Sequence, residues 1–169
     1  MTDDKHWYVA YVRSCREKVA AEKFRALGYE YYLPIQREVR QWSDRKKIVD
    51  KLVIPRMIFV RCTETERRRS LSLVSDLYKY ITEKGPFTAS IIRDVEMETF
   101  RDMVEKGGRD VRIMDRTAKP GDRVRITDGP LLGHEVQVIS VTGTRYIAVP
   151  LGPIGTATIE LETDSFELL

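Results

Sequence analysis

Two cysteines and two histidines are scattered through the 169 residues. Cys15 and Cys62 lie far apart, and neither has a second cysteine or a histidine at ligand spacing, so neither a disulfide framework nor a zinc site is indicated. Both read as small buried hydrophobes, and the equally isolated His6 and His134 read as structural or solvated side chains. Long hydrophobic runs are also missing: none approaches the roughly 18 residues that cross a bilayer. The opening Met1-Thr2-Asp3-Asp4-Lys5 is acidic where a signal peptide is basic. A cytoplasmic protein without a membrane partner is expected. There is no glycine-rich phosphate loop, nucleophile–base set or metal spacing, so neither catalysis nor a cofactor is expected.

What the chain does have is charge, unevenly placed. Asp, Glu, Lys and Arg make up 33% of it, against a 42% apolar content typical of a folded protein, and the length suits one ordinary domain or two small ones. Residues 1–110 carry 23 basic and 18 acidic side chains, a balance of +5; residues 111–169 carry 6 and 8, a balance of −2. Only the first part is therefore expected to face a polyanion.

Within the charged background, Leu52-Val53-Ile54-Pro55-Arg56-Met57-Ile58-Phe59-Val60-Arg61 is a nearly uncharged run, carrying only Arg56 and Arg61. Its β-branched and aromatic residues read as a strand, with Pro55 marking where ladder pairing begins. Alternation puts Ile58 and Val60 on one face and Met57 and Phe59 on the other. Both faces are apolar, so the strand is either buried on both sides or shares one side with a partner protein.

Around it, residues 7–13 read as a first strand. Ser14 and Glu17 form a capping-box pattern ahead of a helix over 15–27, with Ala20, Phe24 and Leu27 on one stripe and Gly28 at its end. Residues 29–39 are strand-like and run into a hairpin arm. From Arg37 to Arg56 there are seven basic and three acidic residues with Trp42 among them, a composition suited to phosphates and to stacking on an exposed base, or to a solvated tip. Thr63 and Glu66 form a second capping box before a helix carrying Leu71 and Val74. Arg67, Arg68 and Arg69 in its first turn oppose the helix dipole unless an anion compensates them. Residues 78–81 supply a strand and Gly85-Pro86 a turn. Asp94 is placed to cap a third helix with Met97, Phe100 and Val104 on one stripe, ended by Gly107-Gly108.

Beyond about residue 110, six of the ten glycines and four of the seven prolines fall within 59 residues. Alternation over 123–127, 135–141, 146–149 and 157–161 predicts short strands joined by tight turns, and hence a small β-barrel. The fold class expected is α+β: an antiparallel sheet flanked by helices over 1–108, a linker over 109–117, and a barrel over 118–169.

Three motifs in order make a resemblance. They are Trp7-Tyr8-Val9; Ile54-Pro55-Arg56-Met57-Ile58-Phe59-Val60; and Pro120-Gly121-Asp122-Arg123-Val124-Arg125-Ile126-Thr127-Asp128-Gly129-Pro130-Leu131. Together they resemble the NusG family, the first two its amino-terminal NGN domain and the third its KOW motif, an SH3-like barrel. Met57 stands where many members have an aromatic residue, and Val136 where the KOW pattern has a second glycine. The resemblance implies a transcription elongation and antitermination factor that binds the clamp helices of RNA polymerase and suppresses pausing. It implies polymerase contact through Tyr11, Ile54, Pro55, Met57 and Phe59, and a second contact across the channel near Arg68, Arg69 and Ser70. Arg13 and Lys23 match positions that approach non-template DNA, to which the hairpin adds Arg40, Arg45, Lys46 and Lys47. The KOW part is expected to recruit a ribosomal protein or a termination factor. Asp76 falls where some specialised members have a basic residue. The stretch from Gly85 to Arg101 resembles the UpxY-type paralogues, which are similar to RfaH in serving particular operons, usually those for surface polysaccharides. The alternative is a KOW-bearing RNA-binding or ribosome-associated module. An RNA-reading barrel should be basic, whereas residues 111–169 are net acidic.

Overall fold

Alternation with a period of two governs the first sheet. In this computed structural model, which describes residues 4–83, 85–114, 121–161 and 166–169, the chain divides into two compact units, residues 1–34 with 54–94 and residues 35–53 with 95–169.

The first unit holds β1 (His6–Val12), α1 (Glu17–Ala26), β2 (Glu30–Tyr32), β5 (Met57–Cys62), α2 (Glu64–Leu73) and β6 (Leu77–Tyr80). Its strands form an antiparallel sheet in the order β2-β5-β1-β6. Tyr8, Ala10 and Val12 of β1 share one face with Ile58, Val60 and Cys62 of β5. That face packs with Ala20, Ala21 and Phe24 of α1 and with Val74, Leu77 and Tyr80. Trp7, Val9, Tyr32 and Phe59, on the other face, are buried as well, so the central strand is closed on both sides.

The helix ends follow from competition for carboxylates. Thr63 and Glu66 make the expected capping box on α2. The box expected at Ser14 and Glu17 does not form: α1 starts at Glu17 behind an uncapped Arg16, and Glu17 Oε1 instead accepts from the backbone N–H of Arg56 at 3.1 Å. Glu17 is buried, and Arg56 has φ +65°, so the carboxylate satisfies an amide in a turn that departs from strand geometry. Cys15, expected to be buried, is exposed. Leu71 is exposed while Val74 is enclosed.

The second unit contains the β3 (Ile35–Gln41) and β4 (Lys46–Leu52) hairpin, α3 (Asp94–Lys106, from its second residue), and an antiparallel sheet. The sheet's strands are β7 (Arg112–Met114), β8 (Asp122–Ile126), β9 (Glu135–Val141), β10 (Thr144–Pro150), β11 (Thr156–Glu160) and β12 (Phe166–Leu168), ordered β12-β8-β9-β10-β11-β7. Met97, Phe100, Met103 and Val104 form the buried stripe of α3. Asp94 is the first helical residue and not its cap. The four strands expected after residue 120 are all present. A closed barrel is not: among the described residues β12 and β7 remain at opposite edges of one sheet. β7 lies within the stretch read as a linker and pairs with β11. Residues 115–117 of that stretch, residues 118–120 at the start of the expected barrel, and residues 162–165 within it lie outside the described residues, Pro120 of the third motif among them. Gly155, at φ +116°, brings its backbone against the Met114 carbonyl, where a Cβ has no room. No helix among the described residues is long and apolar enough to cross a membrane.

Candidate functional site

The antiparallel register sets Tyr11 opposite Met57 and Val9 opposite Phe59. Val9 and Phe59 are closed off, Phe59 completely, whereas Tyr11 and Met57 stay half-buried at the end of the strand pair. Tyr11 also faces Lys79 of β6, whose ammonium stands 5.8 Å from the tyrosine ring centroid. The preceding turn is fixed on both sides of Arg56: its N–H reaches Glu17, and its carbonyl accepts from Val12 N at 2.8 Å. That turn holds Pro55 and Arg56 out in solvent and Ile54 buried. Of the five residues proposed for docking from sequence, Tyr11, Pro55 and Met57 are accessible, while Ile54 and Phe59 lie beneath.

At α2 the arginine run is divided by burial. Arg67 is enclosed, its guanidinium 5.6 Å and 5.3 Å from the Tyr8 and Tyr80 ring centroids, with two hydrogen bonds to Glu64 at 2.8 and 2.5 Å. Arg68 reaches the same carboxylate at 3.0 Å. The hydrogen bonds from Arg67, reinforced by Arg68, hold the Glu64 carboxyl down at about 2 against the effect of burial. Glu64 in the first turn is thus the anion that compensates the run. Burial raises the Tyr8 phenol to about 12 and moves Tyr80 upward too. Ser70, expected to touch a partner, is buried: its hydroxyl donates to the Arg67 carbonyl at 2.6 Å and lies 2.8 Å from Tyr80 Oη. Arg68 and Arg69 remain at the surface.

Asp76 organises the corner that contains Arg13 and Lys23. Lys23 Nζ lies 2.7 Å from Asp76 Oδ2 and 3.2 Å from Ser75 Oγ, and Arg16 Nε lies 2.9 Å from Asp76 Oδ1. The hydrogen bonds from Lys23, then Arg16, lower the Asp76 carboxyl from its ordinary value. Arg13 places its guanidinium 5.5 Å from the Tyr78 ring centroid. Sequence reasoning missed Arg16, Tyr78 and Lys79. The seven-residue spacing of Arg16 and Lys23 put both on one helix side and was the available signal.

The β3–β4 arm carries the other four basic candidates. Arg40 is paired with Lys47 and Gln41 with Lys46, and Trp42 and Arg45 close a two-residue turn through hydrogen bonds of 2.8 and 3.3 Å. Lys47 Nζ stands 5.6 Å from the Trp42 ring centroid, and Trp42 is 55% exposed. Arg40 lies 3.4 Å from Glu38, while Arg45 and Lys46 project into solvent. At its base Gln36 donates to the Arg109 carbonyl at 2.9 Å and accepts from Val111 N at 3.0 Å. Of the six basic candidates, Arg13 and Lys23 belong to the first unit and Arg40, Arg45, Lys46 and Lys47 to the second.

The family model "Transcription termination factor nusG" matches residues 5–101. The solved structure on domain interaction in Thermotoga maritima NusG superposes with a TM-score of 0.51 at 17% identity, covering 97% of each chain, a likeness of fold alone. Two conformations of the MjSpt4:Spt5 complex give TM-scores of 0.30 and 0.28 at 15% and 17% identity. They cover 96% of this chain and 97% and 96% of theirs. No curated protein matches the chain in sequence.

Proposed function

The chain belongs to the NusG family of transcription factors, and from that premise we propose that it binds RNA polymerase during elongation and suppresses pausing and termination. The observation that carries the reading is the half-open Tyr11–Met57 pair at the end of an otherwise closed sheet face, with Pro55 exposed beside it. Such a partly apolar surface rimmed by Arg56 and Lys79 suits a protein partner carrying an acidic edge. Arg68 and Arg69 supply the second polymerase contact. Arg13 and Lys23 in one group, and Arg40, Arg45, Lys46 and Lys47 with Trp42 in the other, meet the non-template strand at the transcription bubble.

In the same proposal, residues 1–108 contain the polymerase-docking surface, joined through 109–117 to a KOW-type part over 118–169. That last part is net acidic in sequence beyond residue 110, which favours a protein such as a ribosomal protein or termination factor over RNA. The targets proposed are particular operons of the surface-polysaccharide kind, a reading supported by the UpxY-like stretch from Gly85 to Arg101. Polymerase capture and single-round pausing assays with the full chain and Met57→Glu test the docking role. Lost capture by a folded variant supports it; unchanged capture and pausing overturn it. Mapping the transcription units bound in cells tests operon choice, and uniform occupancy of all units rejects it.

A further inference from the structure

Thr99 and Asp102 are three residues apart on α3 and so share one side of the helix. Both reach His134, in the turn between β8 and β9: Nε2 lies 2.7 Å from Asp102 Oδ2, and Nδ1 lies 3.2 Å from Thr99 Oγ1. The Thr99 hydroxyl also lies 3.0 Å from the Val95 carbonyl, which can only accept. If the single hydroxyl proton serves Val95, the Thr99 oxygen is left as an acceptor and Nδ1 must donate to it. Asp102, as a carboxylate, requires Nε2 to donate as well. A ring that donates from both nitrogens is an imidazolium; a neutral ring bound to Asp102 keeps Thr99 as a partner only if that hydroxyl turns away from Val95.

The geometry points to a proton-operated latch, in which protonated His134 fastens the β8–β9 turn to α3 and deprotonation loosens it. The surrounding charges leave the pair intact. On α3, Lys106 Nζ lies 3.3 Å from Asp102 Oδ1 and leaves Oδ2 to the histidine; the other charged residues of the helix are Asp94, Glu96, Glu98, Arg101 and Glu105. Beside the turn, Glu135 is taken up by Arg125 at 2.9 Å and Arg123 at 3.7 Å, and Glu167 of β12 by Arg125 at 3.0 Å. Asp128 accepts from Gly129 N. Asp102 is the carboxylate that the described contacts bring to the ring.

The sign follows from the charges. The latch is fastened while the ring carries both protons and slackens as rising pH removes one. Burial works to raise the Asp102 carboxyl, but the hydrogen bonds from His134 and Lys106 together hold it below its ordinary value, so the ring keeps a charged partner. Thr99 lies in the segment matching the family model, residues 5–101, while Asp102 and His134 lie beyond it.

Hydrogen–deuterium exchange on the full chain at pH 6 and pH 8, corrected for intrinsic exchange, tests the latch. Protection over residues 97–106 and 127–138 should fall roughly tenfold at pH 8, since charge-assisted hydrogen bonds are about twice as strong as neutral ones. His134→Gln retains a donor but not the titration, and Asp102→Asn retains the shape but not the charge; both should give equal protection at the two pH values. Equal protection in the wild type, or a pH effect persisting in His134→Gln, overturns the proposal. Should both variants fail to fold, nitrogen NMR of the wild type at pH 6 decides: two protonated ring nitrogens in His134 sustain the latch, and one refutes it.

Discussion

Replacing Phe59 by alanine separates an enclosed sheet residue from a docking residue, because its neighbours on the same strand pair differ so sharply in exposure. Phe59 is 0% exposed, its ring centroid 6.4 Å from that of Tyr32, while Met57 two residues earlier is half-buried opposite Tyr11. Truncating a fully buried phenylalanine costs about 3–5 kcal/mol, through lost transfer energy and the cavity left behind. Against a typical domain stability of about 5–15 kcal/mol, that is a third or more of the total in most cases. With a urea dependence of about 2 kcal/mol per molar, the midpoint should drop by about 2 M. Met57→Ala removes a side chain that already meets water and should cost about 1 kcal/mol, shifting the midpoint by about 0.5 M. The assay is urea unfolding by far-ultraviolet dichroism, alongside polymerase capture below the transition. Phe59→Ala should lose stability first and capture only as a consequence, whereas Met57→Glu should lose capture while folded. A Phe59→Ala protein with unchanged midpoint and lost capture would refute the assignment, since the ring would then have to be reachable by the partner.

The Glu64 carboxyl is lowered on folding, so its contribution is present above the unfolded value near 4.5 and lost as pH falls toward about 2. With the side chain 37% exposed, solvent screening leaves about 1 kcal/mol; acid titration of stability should flatten in that window in Glu64→Gln. Arg45→Ala combined with Lys46→Ala should reduce the slope of log affinity against log salt for single-stranded DNA by about 1.4, at roughly 0.7 per phosphate contact. An unchanged slope assigns the arm tip to solvent. Gly155→Ala, at φ +116° and against the Met114 carbonyl, should cost about 1–3 kcal/mol and loosen the β7–β11 pairing, read as faster amide exchange over residues 112–114.

Legibility in the sequence depended on whether a residue's partner was near in the chain. The Thr63–Glu66 box and the Met97–Phe100–Val104 stripe are local patterns, and both formed as expected. Ser14 and Glu17 show the same pattern, but Arg56, 39 residues further on, takes the Glu17 carboxylate. Phe59 and Met57 share a face by alternation, yet only tertiary packing decides that one is enclosed and the other half-open. β7 is three residues long, too short for a period to show, and its partner lies more than forty residues away. Barrel closure was expected from the spacing of strands and turns, which fixes their number and length but not whether the outermost two pair.

The chain's interleaved path places a constraint on its synthesis. It passes between the two compact units after residues 34, 53 and 94. No single cut yields both units whole, and the β3–β4 arm leaves the ribosome before α3 and the sheet with which it groups. The intervening residues 54–94 number 41, or about 2–8 s at a typical 5–20 residues per second. During that interval an amphipathic ribbon, with Val39 and Ile48 more than half exposed even in the finished protein, waits for the strands that follow. Slow codons placed within those residues should lengthen the wait and raise the misfolded fraction, whereas the same codons after residue 160 should not.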